Sequence, residues 1–202
     1  MPIETIWPGL FHAKPTDGFM EHVVAEITFK GKAIQTAGAL PGKGKAAPPF
    51  TLVKTDLTQT GLDDYPDRRV VLNIFPSLDT PVCATSLRKF NALAGGMLNT
   101  TVLCVSADLP FAAQRFCSAE GLDDLVPASC FRNPAFGETY GVAMVDGPLR
   151  GLLARSVVVV DEKGVVIHTE LVPDIGHEPD YDAVEAVLKK GLSNGQDPVM
   201  AP

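Results

Sequence analysis

Three residues at fixed spacing raise a chemical question. In FPSLDTPVCATSLRKF (75–90), Pro76, Thr80 and Cys83 follow one another at intervals of four and three, and the cysteine falls where a helix begins. The thiolate, not the thiol, is the nucleophile, and an ordinary cysteine is only a few per cent ionised near neutrality. A helix N-terminus shifts that balance, because its unpaired N–H groups and positive dipole end favour the anion. A helix starting at Pro81 or Val82 puts Cys83 in that place. Thr80 then offers a hydroxyl to the sulfur from the preceding turn, and Pro76 bends the chain and shields the sulfur from water. The competing reading of Cys83 is an inert, buried, small apolar residue, which is a common fate of free cysteine.

The remaining chemistry-bearing residues are weighed against that site. The chain has four cysteines, at 83, 104, 117 and 130. A chain of 202 residues can bury a full core without disulfide staples, and neither a CxxC pair nor zinc-finger spacing occurs. Cys104, inside VLCVSAD, reads as a core strand residue; Cys130, in PASCFRN, reads as buried or as a free thiol, with a backup resolving role left open. The four histidines (12, 22, 168, 177) are dispersed without metal-ligand spacing, so no metal or other cofactor is expected. The glycines of YGVAMVDGPLRGLLAR lack a following GK[ST], which argues against a phosphate loop.

Composition removes further classes. A formal net charge of −7 argues against nucleic acid, whose phosphates require clustered Lys and Arg. Apolar runs such as SVVVV (156–160) are strand-length, well short of the roughly 20 residues of a spanning helix, so no membrane partner is expected. Glu4, two early prolines and the lack of an apolar core make the first residues unlike a signal peptide, and a cytoplasmic location follows as an expectation.

These residues need elements to hold them. Residues 1–22 read as an irregular arm, 23–191 as one domain and 192–202 as a disordered tail. HVVAEITFKGKAIQT predicts a β-hairpin turning at Lys30-Gly31. FTLVKTDL (50–57) reads as a strand, and the apolar run RVVLNIF (69–75) as a central strand covered on both faces. A helix over 83–95 follows, with Leu87, Phe90 and Ala94 on one face and Gly95-Gly96 to stop it. Then come a strand (100–108), a helix opening on Pro110, two strands within 154–171 and a closing helix, EPDYDAVEAVLKKG, with Gly191 just beyond it. This order predicts an α/β fold, a mixed central sheet flanked by helices, compatible with a thioredoxin-like domain carrying an N-terminal hairpin.

With the motif and the element order in view, NIFPSLDTPVCATSLRKFNAL resembles the peroxidatic-cysteine segment of peroxiredoxins, Pro-x-x-x-Thr/Ser-x-x-Cys, and most closely that of the bacterial thiol peroxidases, the atypical two-cysteine subfamily. The resemblance continues through ADLPFAAQRFCSAEGL, FRNPAFGETYGVAMVDGPLRGLLARSVVVVDEKGVVI and EPDYDAVEAVLK, covering roughly residues 24–190. It implies that Cys83 attacks a peroxide and becomes a sulfenic acid, that Thr80 orients the peroxide, and that Arg155 stabilises the thiolate and polarises the O–O bond. It also implies that Cys117 resolves the sulfenic acid as an intramolecular disulfide, that thioredoxin reduces this disulfide, and that the protein is a homodimer. A disulfide requires Cα atoms within about 7 Å. Cysteines on two separate helices would therefore need local unwinding, after Pro81 and around Cys117.

The expected function is thus reduction of hydrogen peroxide and organic hydroperoxides in antioxidant defence. Phe75, Phe111, Phe116 and Leu149 either line an apolar approach that favours alkyl or lipid hydroperoxides, or are ordinary core residues. Two other functions remain open on the sequence. One is thiol–disulfide oxidoreduction, which the missing CxxC disfavours; the other is a peroxide sensor that is oxidised without turnover.

Overall fold

The computed structural model describes residues 24–97 and 99–193. The expected arm over 1–22 and nearly all of the tail lie outside these residues. The chain starts with the hairpin β1 (Glu26–Phe29) and β2 (Lys32–Gln35). Lys30 (φ 51°) and Gly31 (φ 75°) are both left-handed, the turn that matches the twist of a two-residue hairpin.

A seven-stranded sheet forms the centre. Its strands are β3 (Leu52–Lys54), β4 (Gln59–Thr60), β5 (Arg69–Ile74), β6 (Thr100–Ser106), β7 (Leu125–Ser129), β8 (Ser156–Val160) and β9 (Val166–Leu171), ordered β4-β3-β7-β6-β5-β8-β9. β5, β6 and β7 run parallel, and the outer pairings are antiparallel. The helices are α1 (Pro81–Gly96), α2 (Pro110–Glu120), the short α3 (Ala135–Thr139) and α4 (Tyr181–Ser193). This is the mixed sheet with flanking helices and N-terminal hairpin expected of a thioredoxin-like fold.

Period-two alternation along the central strands divides the core in two. Val70, Leu72 and Ile74 of β5 face one layer with Ile27 and Ile34 of the hairpin and Phe136 of α3. Val71 faces the other, with Leu87 and Phe90 of α1, Ala113 and Cys117 of α2, and Val184 and Leu188 of α4. The units β5-α1-β6 and β6-α2-β7 step across the sheet in the same direction. Right-handed crossovers then place α1 and α2 on one face, which is where Cys83 and Cys117 both lie.

Some local readings needed the fold. The expected strand over 50–57 is shorter, because Leu57 (φ 68°) turns the chain into β4. β7 has no counterpart among the expected strands, and it carries Pro127, a residue rarely found in an inner strand. β3 pairs only with Ala128 and Ser129, so Pro127 sits where β7 has no partner on that side. α4 runs on to Ser193, and Gly191 lies inside the helix rather than beyond it.

Candidate active site

The sheet register explains how the first two reactive residues meet. β5 and β8 are antiparallel with Ile74 opposite Ser156, so the C-terminal end of β5 lies beside the N-terminal end of β8. From the first end the chain passes through Phe75 and Pro76, both buried, into the turn that starts α1. Arg155 stands immediately before the second. Residues 72 apart in sequence thereby converge, and Arg155 NH2 lies 3.4 Å from Cys83 Sγ.

Each partner is held from behind. Thr80 is the N-cap of α1, extended at φ −105° and ψ 141°, and Pro81 occupies the first helical position, where its missing N–H costs nothing. The Thr80 carbonyl accepts from the Ala84 amide at 3.0 Å, so Cys83 lies within the first turn. Arg155 is 1% exposed. Its Nε (3.3 Å) and NH2 (3.1 Å) both donate to the Ile175 carbonyl, while NH1 is buried without a hydrogen-bond partner among the described residues. A buried guanidinium thus donates to a sulfur in the first turn of a helix, where the positive end of the dipole also lies.

Thr80 departs from the simplest expectation. Its hydroxyl donates to the Ser77 carbonyl at 3.3 Å rather than to the sulfur, which fastens the turn on itself. That turn is also tied down by Asp108, a residue the sequence reading passed over. Its carboxylate accepts from Ser77 Oγ, the Leu78 amide and Ser106 Oγ, each at 2.8 Å. The one sequence signal was an acid in VSADLP, just after a strand, where loops carry functional groups.

The other cysteines separate by environment. Cys117 is buried on α2, four residues before the left-handed cap Gly121 (φ 65°), and its carbonyl accepts from the Gly121 and Leu122 amides. Burial, and then the charge of Asp123, push its thiol upward. Cys83 and Cys117 belong to the same apolar cluster, and both are free thiols. Cys104 is buried on β6, where desolvation raises its thiol and Asn73 Nδ2 donates to its sulfur at 3.8 Å. Cys130 is buried, and its thiol is pushed up to about 11 by desolvation. Both fit the core reading.

The phenylalanines divide as well. Phe75 is fully buried and Phe116 packs against the Cys83 cluster, whereas Phe111 is 62% exposed. Leu149 packs into the layer on the opposite face of the sheet. Among the described residues, no group of three or more His, Cys, Asp or Glu side chains is placed to hold a metal ion, and no helix is long and apolar enough to cross a membrane.

Comparison with known proteins matches this arrangement to a family. The Redoxin family model matches residues 42–185. The thiol peroxidase of Mycobacterium bovis is 54% identical over 165 residues, which is 82% of this chain and 99% of that one. The thiol peroxidase of Corynebacterium glutamicum is 53% identical over the same shares of the two chains. Among solved structures, a peroxiredoxin-like protein from Aquifex aeolicus superposes with a TM-score of 0.78 at 38% identity, covering 83% of this chain and 98% of that one.

Proposed function

The chain belongs to the Redoxin family and, within it, to the bacterial thiol peroxidases, and from that premise we propose that it reduces hydroperoxides through Cys83, with Cys117 as the resolving thiol. The observation that carries the assignment is the 3.4 Å contact between Arg155 NH2 and Cys83 Sγ in the first turn of α1.

The Cys83 thiolate attacks the terminal oxygen of the peroxide. The S–O bond forms as the O–O bond breaks, and the departing alkoxide or hydroxide takes a proton and leaves as alcohol or water. Cys83 is now a sulfenic acid. The buried NH1 of Arg155, which has no hydrogen-bond partner among the described residues, supplies a donor for the oxygen on which charge develops. Thr80 and Pro76 shape the turn over the sulfur. In the second step Cys117 gives up its thiol proton as its sulfur attacks the Cys83 sulfur; the S–O bond breaks, the sulfenic hydroxyl leaves with that proton as water, and a disulfide forms. A dithiol reductant of the thioredoxin type then exchanges with this disulfide, restoring both thiols and becoming oxidised itself.

The copy number belongs to the same reading. Leu109, Phe111, Phe131 and Val145 are large apolar residues left exposed, on segments that follow β6 and β7 or precede Arg155. Phe131 and Val145 also line an open depression of about 410 Å³. These exposed apolar side chains are assigned to contact with a second copy, giving a homodimer.

Steady-state rates with hydrogen peroxide and cumene hydroperoxide, coupled to thioredoxin and its reductase, test the assignment. The wild type is expected to turn over, Cys83→Ser to be inactive, and Cys117→Ser to be oxidised once without thioredoxin-linked turnover. Substantial activity in Cys83→Ser removes the reading. Stoichiometric oxidation of the wild type without turnover replaces the enzyme by a sensor.

A further inference from the structure

Arg155 does not hold itself in place. Two of its nitrogens rest on one atom, the Ile175 carbonyl oxygen, so the position of that oxygen sets the position of the guanidinium at Cys83. Ile175 lies in the turn after β9, outside any regular element, and something else has to fix it.

That support comes from the N-terminal hairpin. Thr28 of β1 reaches across to the turn, 146 residues away, and its Oγ1 donates to Asp174 Oδ2 at 2.7 Å. The Thr28 amide donates to the Pro173 carbonyl at 2.7 Å, and the Ile175 amide donates to the Thr28 carbonyl at 2.9 Å. Asp174 closes the turn from within: its Oδ1 accepts from the Gly176 amide at 2.7 Å, and its carbonyl accepts from the His177 amide at 2.9 Å. The Ile175 peptide is therefore clamped on its amide side by Thr28 and on its far side by Asp174. Its carbonyl is left pointing at Arg155.

We propose that Thr28 and Asp174 are positioning residues for the peroxidase reaction: together they fix the Ile175 carbonyl that aims the Arg155 guanidinium at Cys83. The path runs from Thr28 to Ile175, directly through the Ile175 amide and by way of Asp174, its covalent neighbour, and then by hydrogen bonds through Arg155 to Cys83. It gives the hairpin a role. β1 and β2 precede residue 42, where the match to the Redoxin model begins, and they form a sheet separate from the central one. They nonetheless reach the catalytic arginine through one threonine. Geometry explains why so indirect a contact matters. A fixed donor loses much of its effect when displaced by a fraction of an ångström, because charge-assisted hydrogen bonds depend steeply on distance and angle.

The inference rests on the assignment of Cys83 as the reacting thiol, and its test reads the thiol without requiring turnover. The rate of Cys83 alkylation by iodoacetamide is followed across pH by peptide mass spectrometry, alongside kcat/KM and thermal unfolding. Variants are Thr28→Val, Thr28→Ser and Asp174→Ala. Ile34→Val, in the hairpin core but off the path, serves as the comparison. Thr28→Val and Asp174→Ala are expected to move the alkylation profile to higher pH, and to lower kcat/KM about three- to tenfold, the equivalent of one ordinary hydrogen bond. Thr28→Ser restores both, and Ile34→Val leaves the profile unchanged at a comparable loss of thermal stability. A Thr28→Val protein that folds and keeps the wild-type profile and kcat/KM overturns the proposal. Should Thr28→Val not fold, an unshifted profile in Asp174→Ala overturns it equally. An active Cys83→Ser, by contrast, would sink the reacting-thiol assignment while the alkylation profiles still report on the path.

Discussion

At the scale of single residues, the site is made by side chains that answer one another's demands. Cys83 is buried, and the charged group that donates to its sulfur is Arg155, at 3.4 Å. Arg155 in turn needs acceptors, and Ile175 provides one that two nitrogens share. Asp108 plays the corresponding part for the loop, gathering two hydroxyls and an amide on one carboxylate. Replacing it by alanine strands those donors. Asp108→Ala is expected to cost about 2 kcal/mol, a loss of about 4–8 °C in Tm, measurable by calorimetry. A Tm within 1 °C of wild type would show that water replaces the carboxylate. Residue types and spacing made Cys83, Thr80 and Pro76 legible as a group. Asp108 was not legible, because an acid in a loop has no periodicity and acquires meaning only from the donors around it.

At the scale of elements, the two helices that carry the cysteines are built with weak points. α1 starts at a proline, and its first turn receives no side-chain capping hydrogen bond from Thr80. α2 also starts at a proline, and it ends at Gly121, four residues past Cys117. First and last turns are where helices fray, because their backbone groups lack intrahelical partners. Joining Cys83 and Cys117 should therefore draw on these turns and spare the sheet. After one equivalent of peroxide, peptide mapping is expected to show a Cys83–Cys117 link. Hydrogen exchange is expected to quicken at amides 83–87 and 116–120, with β5 and β6 unchanged. A link to Cys130 instead would reassign the resolving thiol. Most elements could be read from the sequence because hydrophobic period and helix-start signals are local. β7 and α3 could not: one holds a proline and the other is a single turn, and both exist because neighbours complete them.

At the scale of the whole molecule, what remains outside the core is informative. A lone chain gains nothing from exposing Phe111, and an isologous contact would bury it twice, once from each copy. Sedimentation equilibrium is expected to give twice the chain mass for the wild type. Phe111→Glu should weaken association by about 3 kcal/mol, more than a hundredfold, through two lost apolar burials. A monomeric wild type at micromolar concentration would end the dimer reading. Activity of the variant would also show whether the second copy matters for the site.

The sequence by itself pointed to thiol chemistry at Cys83. A cysteine three residues after a threonine, at a helix start bounded by prolines, is a local pattern, and backbone geometry alone converts it into a sulfur in a first helical turn. It also determined the alternation that gives the central strands two apolar faces, and hence the layered core. Only the tertiary structure decided that Arg155 reaches Cys83, that Asp108 holds the loop, and that Thr28 stands behind the arginine. These are contacts between residues 30 to 146 positions apart. Distances over such separations depend on strand order and register, which no short stretch of sequence encodes. Once Ile74 stands opposite Ser156, the ends of β5 and β8 coincide, and the contact between Arg155 and Cys83 follows from that register.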